Sequence, residues 1–440
     1  MNLVLLSGGS GKRLWPLSND IRSKQFIKLF RHGDTYESMV QRVCRQIREA
    51  DPHARVTIAT SRSQVSALRN QLGDRVALSV EPCRRDTFPA IALAAAYLRD
   101  VQGLSSAEPV VVCPVDPYVE TAYFRTLSRL SRRAAAGSAR LVLMGITPTE
   151  PSEKFGYILP AGTGDCVPVK RFTEKPDRET AAAYIAAGAL WNSGVFAFRL
   201  EYVLNIARQR FGHNDHRWLS EHYAQLEKIS FDYAVAEREP AAELLRYSGT
   251  WNDLGTWDTL TAAMEEHSVG PVMMNDRCRQ THVINELNVP VLCMGLHNVV
   301  VSASPEGILV ADKEQSTQIK PFVDLIRQEI MFAEKSWGSY RVLDVEEESL
   351  TIQVTLNPGH SMHYHSHAAR SEVWTVIEGR GRTIVDGAER SVGVGDVVLL
   401  PVGCRHTVIA ETELKLIEVQ TGSAISVHDK ELHPLPSAAP

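Results

Sequence analysis

Three glycines, Gly8, Gly9 and Gly11, follow the apolar run Leu3–Leu6, and the cations Lys12, Arg13 and Lys24 follow the glycines. Glycines let backbone N–H groups approach phosphate oxygens closely. Lysine and arginine neutralise the charge that phosphate brings. The stretch therefore reads as a polyphosphate-binding loop. It is not a Walker A loop, since GxxxxGK[ST] would need glycine at Leu6 and a hydroxyl at Arg13. Nor is it a dinucleotide GxGxxG turn, because the spacing differs. A second chemical stretch runs from Gly359 to His367, GHSMHYHSH. Side chains alternate along a strand, so His365 and His367 point together, with His363 on the same face. Imidazoles so placed suit Zn²⁺, Mn²⁺, Fe²⁺ or Ni²⁺.

Each stretch needs a scaffold. In the first half, apolar runs predict strands at Asn2–Leu6, Ala54–Ala59, Arg75–Val80, Pro109–Cys113 and Leu141–Gly145. Helical periodicity falls between them, over Tyr36–Glu49, Ser63–Leu72 and Pro89–Leu98. Strands alternating with helices predict an α/β domain, Rossmann-like, with a mostly parallel sheet. Ligands in such folds bind beyond the carboxyl ends of the strands, where the glycine loop lies. From about Ser268 the runs become short and punctuated by Asn, Gly and Pro, which predicts small strands or solenoid-like coils. A helix over Pro321–Met331 closes that section. Runs such as Leu350–Leu356, Glu372–Ile377, Gly381–Val385, Val397–Leu400 and Leu414–Gln420 predict a small all-β barrel or jelly roll. The expected division is 1–265, a linker over 266–333, a β domain over 334–425 and a flexible tail over 426–440.

The chain has 440 residues, a net charge of −5 and a sequence pI near 6.3. It lacks the cationic excess of a nucleic-acid binder. Seven scattered cysteines without a CxxC pair fit reduced thiols and a cytoplasmic setting. No stretch is long enough to span a bilayer, and the first residues lack a signal peptide's basic region.

The stretch GGSGKRLWPLSNDIRSKQF resembles the signature of the sugar-1-phosphate nucleotidylyltransferases, and within them the mannose-1-phosphate guanylyltransferases. The resemblance continues, in order, through EPCRRDTFPAIALAAAYL (81–98), CPVDPYV (113–119), GITPTEPSEKFGYI (145–158), RFTEKPD (171–177), LWNSGVFAF (190–198), SFDYAVAER (230–238) and WNDLGTWDTL (251–260). It implies attack of a sugar 1-phosphate oxygen on the α-phosphorus of a nucleoside triphosphate, with pyrophosphate leaving. By the resemblance, Gly8, Gly9 and Gly11 cradle the triphosphate, and Glu81, Asp86 and Thr87 face the base; Lys12, a cation in the same loop, is a further nucleotide-binding candidate. Arg13 and Lys24 stabilise the phosphorus centre and the leaving group. Asp116 and Asp253 hold Mg²⁺. Glu174 accepts sugar hydroxyls, Lys175 reaches the sugar phosphate, and Gly156 and Asn192 line the sugar pocket. The implied substrates are GTP and mannose 1-phosphate.

Departures bear on specificity. Lys12 stands where the family has Thr or Ser, Ser23 for Pro, Asp86 for Asn and Pro117 for His. Lys154-Phe155 belongs to an altered turn. Another base such as CTP, or another sugar phosphate, is one rival reading. A nucleotide- or sugar-sensing protein without turnover is another.

The histidine stretch, with Glu372 and Gly379, resembles the cupin motif G-x5-HxH-x4-E-x6-G, and Gly395, Pro401, Gly403 and His406 resemble its partner motif. The resemblance makes His365, His367, Glu372 and His406 ligands of one divalent transition metal. Type II phosphomannose isomerases join such a cupin to a guanylyltransferase, and KSWGSY (335–340) and EVQTG (418–422) extend the likeness. Isomerisation of mannose 6-phosphate is the activity this raises. The supporting residues differ: His363 replaces Gln, two residues are inserted before Arg370, and the usual C-terminal motif is absent. The expected partners are small phosphorylated substrates, without nucleic acid or membrane. A homo-oligomer is allowed, its copy number unset by the sequence.

Overall fold

The structure is a computed structural model and describes residues 1–9, 12–19, 21–327, 330–423, 425 and 429–435, with only the backbone at Lys12. The chain forms two compact units. One contains Met1–Gly11, Ser23–Val65 and Leu72–Glu265. The other contains Lys12–Arg22, Ser66–Gln71 and Glu266–Pro440. The segment after the glycines therefore packs with the second unit, a division that boundaries drawn along the sequence do not follow.

The first unit is built on a nine-stranded sheet. In chain order its strands are β1 (Asn2–Ser7), β2 (Arg55–Ser61), β3 (Ala77–Glu81), β4 (Pro109–Pro114), β5 (Leu141–Ile146), β6 (Tyr157–Pro160), β7 (Cys166–Thr173), β8 (Leu190–Arg199) and β9 (Ala242–Tyr247). Across the sheet they run β3-β2-β1-β4-β8-β5-β9-β7-β6. β3, β2, β1 and β4 are mutually parallel. β8 enters antiparallel between β4 and β5, and β7 pairs antiparallel with both β9 and β6. The sheet is thus parallel where it carries the glycine loop and mixed beyond it.

Local sequence explains these elements. β4 and β5 are near-continuous apolar runs, as strands covered on both faces require. The helix Thr87–Asp100 is alanine-rich and apolar on nearly every face, so it is buried almost all round. The helix expected from Tyr36 begins instead at Met39. Thr35–Ser38 is a strand paired with Lys28–His32. A capping box sets the boundary, for Ser38 Oγ accepts from Gln41 N while Gln41 Oε1 accepts from Ser38 N.

In the second unit, short strands stack in parallel from one coil to the next. Ser268–Val269 pairs with His282–Asn285, which pairs with Val299–Ser304, and Val272–Met274 pairs with Val291–Cys293. Val283, Cys293 and Val301 fill the coil interior. The last coil turns back as a hairpin, Val299–Ser304 with Gly307–Asp312. The helix expected over Pro321–Met331 is a single turn, Lys320–Val323. Its apolar residues find no core: Phe322 and Leu325 are exposed, and Phe332–Lys335 is already a strand. Gln328 and Glu329 lie outside the described residues.

Beyond it, a six-stranded and a five-stranded sheet enclose a core that includes Trp374, Leu356, Leu414 and Val408. Part of the tail expected to be flexible is ordered. Glu431–Leu432 pairs with His365–Ser366, and His433 N donates to Tyr364 O at 2.9 Å. Buried partners hold this segment, which composition alone does not disclose. Residues 426–428 and 436–440 of that tail lie outside the described residues. Among the described residues no helix is long and apolar enough to cross a membrane.

Candidate functional site

β1 delivers Gly8 and Gly9 at its carboxyl end, where a buried polar network holds the turn. Gln64 Nε2 donates to Ser23 Oγ at 2.8 Å and to Gly9 O at 3.4 Å, while Thr60 Oγ1 donates to Gln64 Oε1 at 3.0 Å. A Cβ on Gly8 would face Glu81 Oε1 at 3.9 Å. Burial pushes the Glu81 carboxyl up, against the opposing bond that Tyr223 Oη donates to its Oε2 at 2.6 Å. Asp86 caps the helix Thr87–Asp100, accepting from Thr87 N at 2.8 Å, and Thr87 Oγ1 accepts from Phe231 N at 2.8 Å. Arg13 is exposed on the turn Lys12–Leu14. Gly11 and the Lys12 side chain lie outside the described residues.

Lys24 meets both predicted metal carboxylates. Its Nζ lies 2.9 Å from Asp116 Oδ2 and 3.5 Å from Asp253 Oδ1. The topology brings them together: Pro117–Val119 pairs antiparallel with Trp251–Asp253, with Asp253 opposite Pro117. Burial alone would lower the Lys24 pKa, but the charges of Asp116 and then Asp253 outweigh it, and the net direction is up. Two carboxylates already converging on one cation suit Mg²⁺, which takes one or two carboxylates beside phosphate oxygens.

A cleft of about 200 Å³ is lined by Asp116, Asp253, Gly156, Glu174, Lys175 and Asn192 together. Glu174 Oε2 is buried without a hydrogen-bond partner among the described residues. A buried acceptor left open in this way suits a ligand hydroxyl. Burial raises the Glu174 carboxyl, against Lys175, whose Nζ lies 3.1 Å from Oε1. A Cβ on Gly156 would lie 2.5 Å from Glu174 Oε2 and 3.1 Å from Phe172 Cζ, so a side chain there would displace the Glu174 carboxylate. Asn192 Nδ2 donates to Asp232 Oδ1 at 2.7 Å.

Asp232 escaped the sequence reading although it lies inside SFDYAVAER. An acidic residue in the first turn of a helix reads as an ordinary dipole partner, and this one is in the first turn of Phe231–Ala234. Burial first, and the Glu174 charge second, push its carboxyl up to about 7. Gln64 was also missed, since its signal is only a polar residue at a helix start.

The second cluster lies between the sheets of the β-sandwich. His365 and His406 are cross-strand partners, and ligand nitrogens of His365, His367 and His406 lie within 4.8 Å of one another. Glu372 Oε1 is 3.0 Å from His367 Nε2, and Glu372 Oε2 is 3.4 Å from His406 Nε2. Each Nδ1 faces a carbonyl: His363 O for His365 at 2.6 Å, Cys404 O for His406 at 3.0 Å, and Asp429 O for His367. Nδ1–H donation to carbonyls turns the Nε2 lone pairs toward one another, that of His367 facing Arg370 Nη2 at 3.1 Å. His406 Nε2 has no hydrogen-bond partner among the described residues.

Burial lowers His365 to about 3, so the ring is neutral, as ligation requires. Burial alone would raise Glu372, but the nearby His367 and His406 rings hold it below the ordinary carboxylate range. The donor set fits a divalent transition metal. Arg370 Nε and Trp374 Nε1 also donate to Glu372, at 3.0 and 3.1 Å. Burial, then the charge of Glu372, pushes Glu418 up to about 8. His363 does not join the cluster: the strand starts only at His365, so alternation does not reach back, and His363 is exposed.

A profile of the nucleotidyl transferase family matches residues 2–268, and a cupin domain profile matches residues 352–420. The xanthan biosynthesis protein XanB of Xanthomonas campestris pv. campestris (strain B100) is 31% identical, over 97% of this chain and 96% of its own length. The mannose-1-phosphate guanylyltransferase of Escherichia coli (strain K12) is 29% identical, over 97% of this chain and 96% of its own. The crystal structure of mannose-1-phosphate geranyltransferase from Thermus thermophilus matches with a TM-score of 0.62 at 28% identity, covering 73% of this chain and 98% of that one.

Two outcomes are expected of these sites. Between the ordinary aspartate value and about 7, native Asp232 holds more proton than it does in the unfolded chain, so its contribution to stability falls as pH rises. Asp232→Asn lacks that loss. The melting temperature of the variant minus that of wild type should therefore be larger at pH 8 than at pH 5, and an equal difference at both would refute the assignment. Second, His365→Ala combined with His367→Ala should abolish bound transition metal in elemental analysis. Retained stoichiometric metal would place the ion elsewhere.

Proposed function

The chain belongs to the nucleotidyl transferase family, and from that premise we propose that it transfers a guanylyl group from GTP to mannose 1-phosphate, releasing pyrophosphate. The observation that carries this reading is a single cleft holding Asp116 and Asp253 beside the open Glu174 oxygen. The guanylyltransferase name of relatives aligned over nearly the whole chain supports the base and the sugar.

The nucleophile, a sugar phosphate oxygen, is already an anion, so no strong general base is needed. The demand is to hold two polyanions in line and offset their repulsion. Gly8 and Gly9 present backbone N–H groups to the triphosphate, with Gly11 and Lys12 continuing the loop. Arg13, supplied by the same loop, and Lys24 stabilise charge on the phosphorus centre and the departing pyrophosphate. Glu81, Asp86 and Thr87 face the base. Glu174 and Asn192 orient the sugar by its hydroxyls, Gly156 leaves room for it, and Lys175 meets its phosphate. Asp116 and Asp253 would hold Mg²⁺, which supplies Lewis-acid stabilisation of phosphate oxygens when bound. Seven free cysteines accord with a reducing, cytoplasmic setting.

The test is a panel of nucleoside triphosphates, CTP included, against sugar 1-phosphates, read by pyrophosphate release. GTP with mannose 1-phosphate should be the best pair, and Lys24→Ala should lower kcat by about 10²-fold or more. Preference for CTP would move the assignment to another base. Ligand binding with no pyrophosphate from any pair would favour a sensor.

A second reading concerns the cupin. Its metal set lies beside Glu418, a buried carboxyl kept protonated near neutrality. An acid–base group next to a metal ion is what aldose–ketose isomerisation between C1 and C2 requires. His365, His367, Glu372 and His406 would hold Zn²⁺, Mn²⁺, Fe²⁺ or Ni²⁺. Metal-replete protein should convert mannose 6-phosphate to fructose 6-phosphate, and absence of conversion would leave the cupin a binding domain.

A further inference from the structure

The first unit holds a second cavity, of about 650 Å³, apart from the cleft. It lies at the opposite end of the sheet. Arg140 directly precedes β5, and Arg199 closes β8 opposite Pro109, the first residue of β4. Pro114 and Asp116, which line the cleft, stand at the far end of β4. No step of nucleotidyl transfer calls for this cavity.

Four arginines line it: Arg140, Arg199, Arg210 and Arg238. The fold engages two of them. Arg210 Nη1 donates to Glu227 Oε2 at 2.8 Å, and its guanidinium lies over the Phe88 ring at 5.7 Å. Arg199 Nη2 donates to Ala135 O at 2.7 Å, in the last turn of the helix Thr121–Ala136. Its Nε is buried and has no hydrogen-bond partner among the described residues. The Arg140 and Arg238 side chains make no hydrogen bond or ion pair among the described residues.

Two carboxylates face these four cations, Glu201 and Glu239. Glu239 is already engaged, its Oε2 accepting from Tyr202 Oη at 2.6 Å and its Oε1 from Ala241 N at 2.8 Å. The cavity is therefore left with uncompensated positive charge. Like charges gathered in a concave site draw in anions. The guanidinium fork matches phosphate oxygens, and a buried N–H without an acceptor is a donor awaiting one. Tyr202, Ile206 and Val235 add an apolar wall. Charge beside an apolar wall selects a phosphate joined to a ring over a bare ion. The volume falls within the roughly 300–1,000 Å³ of small-molecule sites.

We propose that this cavity is a second binding site, taking a small phosphate-bearing ring compound whose phosphate is held by Arg140, Arg199 and Arg238. Nucleotides and sugar phosphates share that chemistry.

The experiment adds ADP, glucose 6-phosphate or adenosine to the full chain and follows hydrogen exchange over 137–140 and 199–211. At millimolar concentration ADP or glucose 6-phosphate should slow exchange there, and the stronger of the two names the source of the ligand. Adenosine, which lacks phosphate, should not. Arg140→Ala combined with Arg238→Ala should weaken the protecting ligand by about tenfold or more. The same variant without ligand should keep kcat for pyrophosphate release within about twofold of wild type. If the double variant fails to fold, Arg140→Ala alone, at an exposed side chain, carries the comparison. No protection by either phosphate compound would overturn the proposal. So would protection that survives loss of the arginines, or adenosine protecting as well as ADP.

Discussion

Like charges have to be gathered without driving each other apart, and the first unit is arranged around that constraint. Asp116 and Asp253 are far apart in sequence and adjacent in space because one short antiparallel pair, Pro117–Val119 with Trp251–Asp253, carries them in register. Lys24 compensates both. A few residues away, Glu174 and Asp232 repeat the problem in a drier setting, where Lys175 and Asn192 offset only part of the cost, so both carboxyls are raised. The cleft thus joins the half-exposed carboxylates held by Lys24 to the buried Glu174, whose carboxyl is raised.

Residues whose placement follows from local chain geometry were legible in the sequence. The glycine loop after β1, the buried parallel strands, the His365–His367 pair and the two-part architecture all follow from spacing and composition. What was not legible depends on contacts between distant segments. Asp232 looks like any acid at a helix start until Asn192 and Glu174 are seen around it. Gln64 becomes informative only when its amide reaches Gly9 and Ser23. His363 misled because period-two alternation was extended past the start of the strand. The unit boundary misled for the same reason as Asp232, since Lys12–Arg22 is fixed by Ser304, Glu306 and Glu286, nearly three hundred residues away in the chain.

The two candidate metal positions differ in kind. Asp116 and Asp253 are partly exposed and already neutralised by a lysine, a setting for a hydrated cation that arrives with a phosphate ligand. The cupin cluster is buried, its imidazoles oriented by carbonyls on their outer nitrogens, a setting for a resident ion with most of its water removed.

One of those orienting carbonyls belongs to Asp429, whose carboxylate also accepts from Ala368 N and Ala369 N. The segment that supplies it is held by a pairing only two residues long, Glu431–Leu432 on His365–Ser366, with His433 bonded beyond it. One side of the histidine cluster is therefore held by a short pairing, while the rest is woven into two sheets. Short peripheral segments open at far lower free energy than the core they cover. Opening of that segment is then governed by a few hydrogen bonds, and the sandwich need not unfold for the buried histidines to be uncovered.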